Sequence, residues 1–328
     1  MNKVYGRLLG LIAFVALVSG IVIYTTVDIN TLRNITVFKP WSIALAIMSV
    51  GLGLVLDGTR LMHLVHISDE HITLKQAVQV VFGNYFLALL TPGSVGGAVA
   101  QLMLLRHAGV PAGKATVLAI VRTVVSILFL ACCLPFIFMH DSGVVPGISN
   151  KTLMIIACVA LAVIIFFAWA FHTDLFDYFV IRLTKRFSNR KRLQIFAFYR
   201  DVKTGVRLLA QHPKSMVRVF IESGLSLMAI YAIVPCLLLG LGVTDADWYT
   251  VMGRMIFLNM LLYFMPTPGG SGIAEGGFVL LFSDTAPAGT VGIIAVFWRA
   301  IAEYIPFVIG FYYTVTVFGR RFLDKEIK

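Results

Sequence analysis

The sequence predicts an all-α polytopic membrane protein, an inverted repeat with about six full spans and two re-entrant helical hairpins. Three observations predict it: an apolar composition, a series of bilayer-length apolar segments, and two Pro/Gly-broken segments that recur at a fixed offset. Of the 328 residues, 59% are hydrophobic and 13% charged, with a mean hydropathy of +0.90. A soluble domain carries roughly 25% charged residues, so that class is excluded.

Six stretches are apolar over the length of a hydrocarbon core of about 30 Å: residues 5–27, 41–65, 114–139, 152–172, 216–242 and 288–318, each approximate at its ends. Lys3 and Arg7 precede the first. Ile23-Tyr24-Thr25 is too bulky for a cleavage site, so this stretch reads as an uncleaved helix. The net charge of +11 is concentrated: Lys and Arg recur between Arg182 and Arg218, where Asp201 is the lone acid. Lying between two apolar spans, this block reads as a cytoplasmic loop over 173–215 facing anionic lipid, not as a nucleic-acid patch. The Arg60–Lys75 segment, Arg106–Lys114 and the Arg320–Lys328 tail are basic as well, whereas 28–40, 140–151 and 243–249 are poorer in Lys and Arg. Positive charge inside then places both termini in the cytoplasm of a multi-pass inner (cytoplasmic) membrane protein. Every loop agrees only if each broken segment enters and leaves on one face.

The broken segments, about 76–110 and 250–286, are copies of each other. Thr91-Pro92-Gly93 matches Thr267-Pro268-Gly269, and Pro111-Ala112-Gly113 matches Pro287-Ala288-Gly289, both at an offset of 176. Asn84 and Asn259 are 175 apart, and Arg122 and Arg299, each in the following span, 177. Residues 1–328 thus read as a single membrane domain, with repeat one over about 41–139 and repeat two over about 217–318. The first copy is approached through the Arg60–Lys75 loop and the second through Thr244-Asp245-Ala246-Asp247, from the opposite face. Inverted repeats with interrupted helices point to a transport site near the midplane. At 1.5 Å per residue, the arms from Gln76 to Leu90 and from Ser94 to Val110 are too short to cross, which makes each broken segment a hairpin.

Thr-Pro is a favourable helix start, with Thr as N-cap and Pro in the first turn. Thr91 and Thr267 are therefore expected to open the second arms and to bring two helix N-termini, with unpaired N–H groups, deep into the membrane. Gly93, Ser94, Gly269 and Ser271 would line that anion site, with Asn84 and Asn259 as further polar groups. Arg122 and Arg299 lie about mid-span, where an arginine costs at least about 2.5–3.5 kcal/mol and must face a partner or a cavity. Each is read either as a phosphate ligand or as a cap that holds the hairpin carbonyls. Glu275, present where repeat one has Val99, and Glu303, one turn after Arg299, are the candidates for proton coupling; the structural alternative is an ion pair with arginine. Asp57, Arg60, His63 and His66 read as a snorkelling interfacial cluster without a metal-ligand motif. Cys132, Cys133, Cys158 and Cys236 read as core filling. No metal or cofactor is expected, and no Walker-type loop, zincin motif or Ser-His-Asp set is present, so the chain is expected not to be an enzyme.

The run Asn84-x6-Thr91-Pro92-Gly93-x2-Gly96-Gly97, the run Thr267-Pro-Gly-Gly-Ser-Gly272 followed by Glu275-Gly276, and the pieces Trp298-Arg299 and Glu303-Tyr304-Ile305-Pro306 resemble the flippase-like membrane domain of lysylphosphatidylglycerol synthases. The resemblance covers nearly the whole chain. It implies a stand-alone member with a lipid-translocating fold, and, because the sequence stops at Lys328, no aminoacyl transfer. The expected function is translocation of an anionic lipid or lipid-linked phosphate, a membrane phospholipid or polyprenyl-phosphate lipid, with the headgroup held between the re-entrant helix N-termini and the embedded arginines. The alternatives are an integral membrane lipid-modifying enzyme and a membrane scaffold for a lipid synthase. The sequence specifies no oligomeric state.

Single-cysteine labelling tests this topology: Asp69 and Asn189 should label from the cytoplasmic side, and Asp141 and Asp245 from outside. An outside label at position 189 would sink the arrangement.

Overall fold

The computed structural model describes residues 37–91, 93–140, 149–172 and 211–326, with a few positions between 193 and 207. The first expected span (5–27), most of the segments 28–40 and 140–151, and most of the basic 173–215 loop lie outside the described residues. Among the described residues the chain is helical and carries no strand.

Pro40 opens α1 (Pro40–Ile67) in the first turn, where a missing N–H is harmless. Asp69 ends it with a left-handed φ of 60°, and the Glu70 N–H returns to the Val65 carbonyl. A capping box starts α2 (Leu74–Leu90). The Gln76 N–H donates to Thr73 Oγ1 at 3.3 Å, and the Thr73 N–H donates to Gln76 Oε1 at 2.8 Å. A short turn leads to α3 (Val95–His107). Then come α4 (Ala112–His140) and α5 (Asn150–His172), packed together; Asn150 Nδ2 donates to the Phe138 carbonyl at 3.0 Å. Repeat two begins with α6 (Pro213–Tyr231) and α7 (Ile233–Gly240). The expected 216–242 span is thus interrupted at Ala232, because Pro235 cannot donate to the Tyr231 carbonyl and its ring crowds that group. Asp247 caps α8 (Trp248–Leu262) by accepting the Tyr249 N–H at 3.1 Å. The chain closes with α9 (Ile273–Phe282), α10 (Val291–Arg299), a π-helical turn (Ala300–Tyr304) and α11 (Ile305–Glu326). The π turn precedes Pro306, and its last bond runs from the Ile305 N–H to the Ala300 carbonyl.

Among the described residues, four stretches are long and apolar enough to cross a membrane: Pro40–Ile67, Ala112–His140, Pro213–Gly240 and Val291–Val317. They match four of the six expected spans, and α5 holds a fifth. The arms of the broken segments are shorter. With 17 and 13 residues, α2 and α3 reach about 25 and 20 Å; α8 and α9, with 15 and 10, reach about 22 and 15 Å.

The chain divides into two compact units. One comprises Met1–Val50, Phe82–Gly97 and Tyr231–Lys328, and the other Gly51–Val81 and Ala98–Ile230. The first unit therefore holds the turn of broken segment one together with most of repeat two. In it, α11 packs on the C-terminal half of α2: Gly310 lies against the Phe82 carbonyl, and the Phe86 ring packs on Phe307 and Phe311 at 5.2 and 5.5 Å. Phe278 stacks between Phe282 and Trp298 at 4.4 and 5.3 Å, binding α9 to α10. In the second unit, Gly224 lies under the Phe129 ring, and Ser226 Oγ donates to the Gly53 carbonyl at 2.9 Å. The cysteines are free. Cys236 is buried, Cys132 and Cys133 are half-buried, and Cys158 is exposed, so core filling does not describe Cys158.

A Cβ at Gly310 has nowhere to go, because the atom it meets is backbone. Gly310→Val should destabilise the protein by roughly 1–3 kcal/mol, the usual overpacking range, and lower its thermal midpoint in detergent. Gly292→Ala, at a position open to space, is the matched control and should leave the midpoint within error.

Candidate functional site

Both broken segments fold as helix–turn–helix hairpins whose arms are in close register. In the first, Gly97 lies against Asn84 and Ala88, and Gly96 against the Leu87 carbonyl and Thr91. In the second, Gly270 meets Leu262 and Gly277 meets Leu258. At the base, Arg254 donates to the Leu281 carbonyl at 2.6 Å and pairs with Asp284 at 2.5 Å. This hydrogen bond from Arg254 holds the Asp284 carboxyl, in the turn after α9, below its ordinary value.

The second arms do not start where the sequence suggested. The expectation was a helix beginning at Thr91 and at Thr267; α3 begins at Val95 and α9 at Ile273. The reason is backbone conformation. Gly93 and Ser94 have φ of 63° and 55°, and Gly269, Gly270 and Gly272 have 57°, 69° and 81°, left-handed values that a helical turn running on from Thr91 or Thr267 cannot contain. The Thr91 hydroxyl still serves the helix it was expected to cap, accepting the Gly96 N–H at 2.7 Å while donating to the Leu87 carbonyl at 2.9 Å. Thr267 Oγ1 is enclosed and makes no hydrogen bond among the described residues. Ser271 Oγ donates to the Pro268 carbonyl at 2.8 Å. Asn259 Nδ2 donates back to the Met255 carbonyl at 2.9 Å, a local bond within α8.

The turns of the two hairpins lie in one unit and touch. A Cβ on Gly269 would stand 2.6 Å from Leu89 Cδ1 and 3.6 Å from Leu89 Cα. Glycine is required at 269 twice over, for its φ and for this approach. Behind the contact, Arg299 is fully enclosed, and its planar fork is divided three ways. Nε donates to Glu275 Oε1 at 3.0 Å, the NH2 nitrogen donates to the Gly269 carbonyl at 2.8 Å, and the NH1 nitrogen pairs with Glu303. Glu275 spends its other oxygen on the Gly272 N–H at 2.6 Å, capping α9. Arg299 therefore ties the turn of hairpin two, the N-terminus of α9 and the π turn into one cluster. The Trp298 and Tyr304 rings lie 6.0 and 5.9 Å from its guanidinium carbon.

Arg122, its counterpart in repeat one, belongs to the other unit and has different partners. It pairs with Asp57, which also holds Arg60 at 2.7 Å. Arg60 donates to Ser126 Oγ at 2.8 Å and bonds Ser223. Asp57, Arg60, Arg122, Ser126 and Ser223 are all buried. The interfacial reading of Asp57 and Arg60 is thus corrected: they form an interior ionic cluster. His63 reaches Glu222 at 2.8 Å instead, and His66 faces His71 Nδ1 to Nδ1 at 3.0 Å. Sequence reasoning missed Asp57 as the partner of Arg122. The available signal was an acid and a base three residues apart within an otherwise apolar span.

Helices of bilayer length, paired short-armed hairpins and enclosed arginine–carboxylate clusters define a polytopic α-helical membrane protein. This chain belongs to the family of the lysylphosphatidylglycerol synthase TM region, whose pattern matches residues 8–310. It is also 22% identical over 246 residues to a UPF0104 membrane protein of Archaeoglobus fulgidus, covering 71% of this chain and 73% of the relative.

Removing the carboxylate between two buried guanidiniums leaves them uncompensated, which costs about 3–5 kcal/mol. Asp57→Asn should therefore cut folded yield and thermal midpoint, and adding Arg122→Gln should restore part of the loss. A wild-type midpoint in the single variant would show that the cluster does not hold the second unit.

Proposed function

We propose that the protein moves an anionic lipid across the membrane, with the phosphate headgroup passing the joined turns of two hairpins that re-enter from opposite faces. One observation carries this reading: the Thr-Pro-Gly turns, related by the repeat, meet at Leu89 and Gly269. The contact brings the N-termini of α3 and α9 towards one place. Both ends carry a helix-dipole partial positive charge, the environment that favours a phosphate; at α3 the Gly96 N–H is met by the neutral Thr91 hydroxyl, whereas at α9 the Gly272 N–H is capped by Glu275. Arms of about 15–25 Å put the turns inside a hydrocarbon core of about 30 Å, where irregular backbone is tolerated only against protein or a polar path. The enclosed Thr267 hydroxyl, which makes no hydrogen bond among the described residues, is a polar group that a headgroup or water would satisfy. Gly93, Ser94, Gly269 and Ser271 shape the passage, and Arg299 holds it in register. Arg122, engaged by Asp57, is assigned to the fold of its own unit. On this reading the chain is a transporter and carries out no covalent chemistry. The lipid class follows from the positive helix termini, and the family's link to a phosphatidylglycerol-modifying enzyme agrees with it.

Purified protein in liposomes should speed the translocation of labelled phosphatidylglycerol more than that of labelled phosphatidylcholine. Gly269→Val, which drives a side chain into Leu89 and strains the left-handed turn, should slow it at least about tenfold per reconstituted folded protein, equivalent to ~1.4 kcal/mol. Translocation no faster than in protein-free liposomes would overturn the proposal.

A further inference from the structure

We infer that the Glu275–Arg299–Glu303 triad is a proton-binding site, that Glu303 is the group that takes the proton, and that the proton favours the anionic headgroup at the hairpin turns. The inference rests on the reading above for the headgroup and on the triad's own geometry for the proton.

The triad sets two carboxylates on one guanidinium, one negative charge in excess, beside an arginine that is fully enclosed. An unbalanced charge at membrane depth is costly, and a proton on one carboxylate removes it. The two acids differ in how they are held. Both oxygens of Glu275 accept hydrogen bonds, one from Arg299 and one from the Gly272 N–H at the α9 terminus, and both bonds favour the ionised group. Among the described residues, Glu303 engages Arg299 through Oε1 alone. The proton therefore goes to Glu303, whose carboxylate becomes a carboxylic acid, while Glu275 stays ionised as the cap. Arg299 and Glu275 are then a balanced pair, and the triad is neutral.

The surroundings add no competing charge among the described residues. The π turn carrying Glu303 is flanked by α10, which supplies Arg299, and by α11, whose Tyr312 and Tyr313 lie two turns further on. Tyr304 acts on Arg299, and Glu275 and Arg299 act on Glu303. Arg254 and Asp284 pair with each other at the far end of α9.

Arg299 donates to the Gly269 carbonyl, in the turn proposed to meet the headgroup. A phosphate there is repelled by a triad of charge −1 and not by a neutral one. Proton and anion then bind with positive coupling, and by linkage each raises the affinity for the other equally. Repeat one has no counterpart: Val99 stands for Glu275, and Arg122 pairs with Asp57 from another helix. The proton step is confined to one copy of the repeat, and so to one stage of the passage.

Infrared difference titration in nanodiscs tests the proton site without reference to transport. A protonated-carboxyl stretch should appear as the pH falls, persist in Glu275→Gln and vanish in Glu303→Gln. Disappearance in Glu275→Gln alone, or persistence in Glu303→Gln, overturns the assignment. Binding of labelled phosphatidylglycerol to the same nanodiscs tests the coupling. Wild type should bind roughly 5–150-fold more tightly at mildly acidic than at mildly alkaline pH. Glu303→Gln should bind tightly at both, Glu303→Asp should retain the dependence, and labelled phosphatidylcholine should show none. If the carboxyl band behaves as expected but phosphatidylglycerol binding is flat in pH, the coupling is wrong and the proton site stands. If phosphatidylglycerol does not bind at any pH, the transport reading fails while the infrared result still decides the proton site.

Discussion

A guanidinium inside a membrane protein needs a carboxylate and a set of acceptors for its five N–H groups, and most of this structure's polar architecture answers that need. Arg299 finds Glu275, Glu303 and the Gly269 carbonyl. Arg122 finds Asp57, and the neighbouring Arg60 finds the same carboxylate with the hydroxyls of Ser126 and Ser223. Each arginine joins segments distant in sequence. The first holds hairpin two against the π turn, and the second holds α4 against α1. Apolar helix surfaces slide past one another at little cost in lipid; a divided guanidinium fork does not.

The repeat is therefore preserved in backbone and broken in charge. Both copies have a Thr-Pro-Gly turn with left-handed residues, a following short arm and an arginine in the next span. The acids that neutralise those arginines come from different places: a preceding span in repeat one, and the hairpin and the arginine's own helix in repeat two. Glu275 lies inside hairpin two and Glu303 in the π turn beyond it, and the first hairpin carries no carboxylate at the matching position, Val99.

Small residues do the complementary work. Gly96 and Gly97 let α3 lie on α2, Gly270 and Gly277 do the same for α9 on α8, Gly310 admits the α2 backbone, and Gly269 admits Leu89. Van der Waals contact of this closeness is the main attraction available between helices in lipid. The Thr91 hydroxyl accepting from Gly96 N–H, the Ser271 hydroxyl donating to the Pro268 carbonyl and the Glu275 cap on Gly272 satisfy part of the turn backbone.

Read alone, the sequence determined the membrane class, the repeat with its offset, the broken segments, the positions of α1 and α4, and the last span as one stretch over 288–318, which the structure divides into α10, the π turn and the start of α11, because apolar length and Pro/Gly punctuation are local signals. It also marked Arg122, Arg299, Glu275 and Glu303 as exceptional, since ionisable side chains inside apolar runs stand out without any structure. Tertiary structure alone decided their pairing. Asp57 lies 65 residues from Arg122, and Glu275 lies 24 from Arg299; no periodicity carries information over such separations. It also moved the helix starts from the Thr-Pro pairs to Val95 and Ile273, since the residues between take left-handed φ values. Which carboxylate caps α9 and which meets Arg299 from the π turn is likewise a tertiary fact, set by where the α9 N-terminus falls relative to Arg299.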